Sequence, residues 1–134
     1  MATYRTEGGA IRPYLTDESS SFTGHAERLY LPSSVEEVSG ILAEANAEGA
    51  PVSVSGGGTS ITGSRVPTHG GWILATERLR RVGQSWVEAA SPGSAAATGA
   101  HRQWQELHSG DATVLIDPSG MVARVPAGLR LSEL

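Results

Sequence analysis

The 134-residue chain contains no cysteine and no lysine. Without cysteine there is no disulfide framework, no cysteine-bound metal and no thiol nucleophile. All ten basic residues are arginine. Aromatic residues make up only 5%, so a core must be built from Ala, Val, Leu and Ile. Charged residues are few as well, at 18%. The net charge of −4 and the pI near 5.5 argue against a nucleic-acid surface, which needs a basic patch. No apolar run approaches the roughly 18 residues that cross a bilayer, so no transmembrane segment is expected. The opening MATYRTEGGAIRPYL has no apolar signal-peptide core, and the cytoplasm is the expected compartment. The length suits one domain, and the low net charge with periodic apolar segments argues against disorder.

Seventeen glycines and seven prolines punctuate what is present. Residues 1–25 form a polar lead-in, with Pro13 and the run Asp17-Glu18-Ser19-Ser20-Ser21. Leu29, Tyr30 and Leu31 form a short strand stopped by Pro32. A helix follows. Ser33 and Ser34 are N-cap residues, with Glu36 and Glu37 three places on, as a capping box requires. Val35, Val38, Ile41, Leu42 and Ala45 recur at helical spacing and predict one apolar face. Gly49 and Pro51 end it. Residues 51–54 predict a second strand, 72–74 a third, and 76–82 a turn or short helix. The order strand, helix, strand, loop, strand is a βαβ opening that predicts a parallel pair in an α+β or α/β domain.

The remainder is less legible. Residues 91–100 are small and flexible in composition. Residues 101–108 (HRQWQELH) predict a short helix, 113–116 a strand, 117–120 a turn and 121–127 a return strand. Residues 128–134 read as the start of a new element.

The stretch VSVSGGGTSITG places three consecutive glycines directly after a strand. Glycine admits positive φ and removes every Cβ from the approach to the backbone. Successive N–H groups in such a loop converge on an anion, and Thr59, Ser60 and Thr62 add hydroxyls. A pyrophosphate is the expected guest, and backbone amides hold it without lysine. Two phosphate loops fail on spacing. The P-loop needs Gly-Lys-Ser/Thr, and there is no lysine. The dinucleotide fingerprint needs glycine at 56, 58 and 61, but position 61 is isoleucine.

Other residue groups point to bland roles. His25 and His69 read as solvated turn histidines. His101 and His108, seven apart, would share a helix face but lack the i,i+4 spacing of a zinc helix, so no metal site is expected. Asp17-Glu18 reads as a solvated carboxylate pair, and Ser19-Ser20-Ser21 has no Gly-x-Ser-x-Gly setting. Arg78, Arg80 and Arg81 read as a solvated basic face, and Trp72 as core.

The combined pattern is more specific than the triple glycine alone. Pro32, Ser34, Glu37, Val38, Gly49, Pro51, Val52, Gly56-Gly57-Gly58-Thr59 and Gly63 resemble the opening of a vanillyl-alcohol oxidase/p-cresol methylhydroxylase-type (PCMH-type) FAD-binding domain. Pro67, the strand at 72–74 and residues 125–134 also resemble this family. IRPYLTDESSSFTG is similar to the segment before the domain in the glycolate oxidase/D-lactate dehydrogenase-like branch. The likeness covers roughly 100 residues in two blocks, with 83–112 outside them.

The resemblance implies an α+β fold: the first subdomain of a PCMH-type FAD-binding domain, incomplete, occupying residues 26–134. It implies that Ser55, Gly56, Gly57, Gly58, Thr59, Ser60 and Gly63 contact the FAD pyrophosphate. Relatives often carry arginine before the glycines, where this chain has Ser55, and covalent attachment uses a histidine inside the motif that is lacking here. FAD is therefore expected to be non-covalent. A second FAD-contacting Thr-x-Gly-Gly block and a substrate domain are expected after Leu134, so no catalytic residue is assigned. The implied activity of the intact enzyme is oxidation of a small-molecule 2-hydroxy acid, such as glycolate or D-lactate, with the segment alone inactive. The alternatives are a non-catalytic anion- or partner-binding module and an inert truncated product.

Overall fold

The computed structural model describes residues 3–82 and 104–133. It divides into two units, Met1–Arg78 and Leu79–Leu134.

The helix of the first unit shows how local sequence sets an element. Ser34 is its N-cap, in extended conformation, and its hydroxyl accepts from the Glu37 N–H at 3.2 Å. The Glu37 carboxylate reaches back one residue further than a capping box requires, to the Ser33 N–H at 2.7 Å. Glu36 and Glu37 in the first turn suit the helix dipole. At the other end Gly49 takes the left-handed conformation, φ 65°, and its N–H closes onto Ala45 and Asn46 carbonyls.

This helix, α2 (Val35–Glu48), follows a short first helix, α1 (Gly8–Ile11), and a 3₁₀ turn over Arg12–Tyr14. The strands are β1 (Tyr4–Arg5), β2 (Arg28–Tyr30), β3 (Val52–Ser55) and β4 (Trp72–Ala75). Their order in the sheet is β1-β2-β4-β3. β4 lies parallel to both β2 and β3, so α2 connects two strands that are not neighbours. β1 is antiparallel to β2 at the edge. Central β4 is buried along its whole length, as a strand covered on both faces must be.

Alternation of side chains along the strands supplies two cores. Tyr30, Trp72 and Leu74 pack with Ile41 and Ala45 of α2 on one face. Leu29, Ile73 and Ala75 pack with Ile11 on the other. The predicted apolar stripe of α2 is therefore narrower than its spacing suggests. Val35 and Leu42 remain 44% and 46% exposed, because only the Val38–Ile41–Ala45 line packs on the short strands beneath. Residues 76–82 form no helix, and the expected turn lies at Glu77-Arg78.

The second unit contains a three-stranded antiparallel sheet, β5 (Gln105–Ser109), β6 (Ala112–Asp117) and β7 (Val122–Arg124). The helix expected over 101–108 is corrected here: residues 105–108 are strand, and 101–103 lie outside the described residues. A two-residue Gly110-Asp111 turn, with Gly110 at φ 61°, folds β5 onto β6, and that Gly-Asp signal decides between helix and hairpin. His108 thus lies on a strand, and His101 is outside the described residues. Arg80, expected on a solvated face, bonds Glu133 at 2.7 Å and Asp111 at 2.9 Å. The Glu133 carboxyl is pushed down to about 2, first by its bond to Arg80 and then by the Arg130 N–H.

Candidate functional site

The glycine loop leaves the carboxyl end of β3, where ligands collect in sheets with parallel strands. Ser55, the last strand residue, is fully buried. Its carbonyl accepts from the Thr76 N–H at 3.0 Å, while its hydroxyl has no partner among the described residues. Gly56, Gly57 and Thr59 are exposed, and Gly58 and Ser60 half-buried. Among the described residues, the backbone N–H groups of residues 56–60 meet no acceptor. Five consecutive donors therefore stand free on a surface loop.

The three glycines differ in what they require. Gly58 has φ 83°, and the space its Cβ would fill is taken by Nη1 of Arg65. Only glycine suits that position on conformational grounds. Gly56 and Gly57 show neither demand. Their φ values are not positive, and a Cβ on either would meet open space. The fold itself gives no reason for their lack of a side chain, whereas a guest lying against the backbone does.

Downstream, the Ser60 hydroxyl lies 3.2 Å from the Thr62 hydroxyl and 3.0 Å from that of Ser64. Gly63 closes the loop at φ 75°, with the Phe22 ring packed where its Cβ would be. Its N–H donates to the Asp17 carboxylate at 2.7 Å. Gly63 thus spends its amide within the protein, in contrast to residues 56–60.

Asp17 is the residue the sequence pattern missed. Read as solvated, it is 5% exposed and holds the Ser19 hydroxyl at 2.6 Å, the Ser19 N–H at 3.1 Å and the Gly63 N–H. The Ser19 hydroxyl bond, joined by the backbone donors, holds its carboxyl below the usual range despite desolvation. The Glu18 N–H donates to the Ser60 carbonyl at 3.0 Å, and the His25 N–H to the Pro67 carbonyl at 3.1 Å. The lead-in before residue 26 thereby clasps the far side of the loop. An Asp-x-Ser turn is visible locally, but its partner 46 residues away is not.

The residues present fit a pyrophosphate. A run of free N–H donors, two glycines with open approach and neighbouring hydroxyls match its oxygens. The buried, unpartnered Ser55 hydroxyl at the root of the loop is a further donor without an acceptor. His69, after the loop, is exposed and lies 3.1 Å from the Thr68 hydroxyl. Among the described residues, no three His, Asp or Glu side chains gather as a metal site.

A family model described as "FAD binding domain" matches residues 26–109. Over 48 residues the chain is 50% identical to D-lactate dehydrogenase of Archaeoglobus fulgidus, covering 36% of this chain and 11% of that protein. Over 77 residues it is 35% identical to D-2-hydroxyglutarate dehydrogenase of Xanthomonas citri pv. viticola, covering 58% of this chain and 16% of that protein. The chain thus spans less than a fifth of the length of these curated relatives. No described helix is long and apolar enough to cross a membrane.

Proposed function

The chain belongs to the FAD-binding domain family, and on that premise we propose that its glycine loop holds the pyrophosphate of FAD as part of a flavin-dependent oxidoreductase. The five free amides of residues 56–60 carry the proposal. Ser55, Gly56, Gly57, Gly58, Thr59 and Ser60 line the cradle, and Gly63 sets its closing turn. The flavin is held non-covalently, since residues 55–63 include no histidine or cysteine. The names of the two relatives favour a small 2-hydroxy acid, of the D-lactate or D-2-hydroxyglutarate kind, as the substrate of the whole enzyme.

When bound, FAD supplies the redox chemistry of such a reaction. The part of this chain is to bind and orient. Backbone amides neutralise phosphate charge without side-chain reorganisation, and glycines at 56 and 57 let the oxygens approach to hydrogen-bond distance. No catalytic residue is assigned, and we place substrate binding in a further domain of the enzyme.

Fluorescence titration of FAD with the 134-residue chain tests the proposal. Flavin emission should change saturably, ADP should compete, and riboflavin, which lacks the pyrophosphate, should not. Competition by riboflavin but not ADP would place recognition elsewhere and refute a pyrophosphate cradle.

A further inference from the structure

Arg65 differs from Arg28 and Arg80 in its partners. Arg28 is paired with Glu44 and Glu48, each at 3.1 Å, and Arg80 with Asp111 and Glu133. Among the described residues, no carboxylate pairs with Arg65. Its Nη2 donates to the Pro13 carbonyl at 3.0 Å, and its guanidinium carbon lies 5.7 Å from the centre of the Tyr14 ring. Its Nε is buried with no acceptor. Its Nη1 lies against Gly58, in the space of the missing Cβ.

One neutral carbonyl and one ring do not compensate a guanidinium. A buried donor without an acceptor costs about 1–3 kcal/mol, and more on a charged group. A mere pin between the lead-in and the loop would work with an uncharged donor. Instead, a permanent cation lies against Gly58, within the run of free amides, in a chain that has no lysine. The φ of Gly58 requires glycine, and the guanidinium lies over the face this leaves open.

We propose that Arg65 is the cation of the glycine loop, supplying the fixed positive charge that faces the phosphate oxygens held by the amides of residues 56–60. This role rests on the pyrophosphate reading above. With Nη2 held by the Pro13 carbonyl, Nη1 against Gly58 is the donor nearest the loop.

The test uses two probes, inorganic pyrophosphate and FAD, titrated calorimetrically into the 134-residue wild type, Arg65→Met and Arg65→Lys at several salt concentrations. Loss of a charge-assisted bond should weaken pyrophosphate about tenfold to hundredfold in Arg65→Met. The salt dependence should flatten as one charge leaves the site. Arg65→Lys should keep the salt dependence and recover part of the affinity, which a purely structural pin would not do. If Arg65→Met does not fold, the wild type still decides. The Arg65 Nε–H resonance, identified by its loss in Arg65→Lys, should move on adding pyrophosphate. A stationary resonance, equal affinities in all three proteins, or no pyrophosphate binding by the wild type would each overturn the role of Arg65. FAD binding that is insensitive to position 65 would overturn it while leaving the FAD proposal standing. Arg65-dependent pyrophosphate binding without FAD binding would support the anion site and overturn the FAD proposal.

Discussion

Replacing Gly57 by valine separates what the loop does for the fold from what it does for a ligand. Gly57 is exposed, has no positive φ and has open space where a Cβ would project. The substitution should therefore leave folding nearly unchanged. It removes glycine's freedom from the unfolded chain, so the net effect is within about 1 kcal/mol of zero and of either sign. Binding should respond quite differently. A branched side chain over the loop holds phosphate oxygens away from two or more amides. Each charge-assisted bond is worth about 1.5–3 kcal/mol, so losing two costs about 3–6 kcal/mol. That is a fall in FAD affinity of about 10²–10⁴-fold. Calorimetric titration with FAD, paired with a thermal melt of each protein, measures both quantities. Wild-type affinity in Gly57→Val would refute the claim that the glycine serves a guest. A melt lowered by many degrees would show that it serves the fold.

Two further substitutions probe the frame. Gly71 sits at φ 87°, with the Pro51 carbonyl oxygen in the space its Cβ would need. Gly71→Ala should destabilise the first unit by about 2–4 kcal/mol in chemical denaturation, and an unchanged midpoint contradicts that constraint. In the second unit, the Glu133 carboxyl is ordinarily near 4.5 and is held at about 2 by Arg80. A lowered folded-state pKa stabilises fully above the unfolded value and ceases to do so as pH falls through the folded one. Melts of wild type and Glu133→Gln should therefore differ at pH 7 and converge between pH 4.5 and about 2. A gap that persists in acid would show that the pair is not the source.

Local signals were read correctly where the physics is local. Ser34, Glu37 and Gly49 mark α2 because caps act within four residues. The parallel pairing followed from the strand–helix–strand order, but the insertion of β4 between β2 and β3 did not. That register depends on which strands bury Ile73 and Leu74 on both faces. Leu42 fits the helical spacing yet stays exposed, since the short strands beneath α2 pack only on its Val38–Ile41–Ala45 line. Residues 105–108 lack strong alternation, and only their hairpin partner makes them a strand. Within the site, the glycine run was legible as a loop. The division of labour within it was not, because Gly58 is set by its φ and Gly63 by its φ with Asp17 and Phe22. Asp17 and Phe22 come from chain more than 40 residues away that no spacing rule connects to Gly63.

The central claim concerns five amides, and they can be observed singly. With uniformly ¹⁵N-labelled chain, an amide correlation spectrum is recorded as FAD is added. The account predicts that the largest shifts fall on residues 56–60. Gly63, whose N–H is committed to Asp17, should move less. Shifts that spare residues 56–60 while FAD demonstrably binds would contradict it.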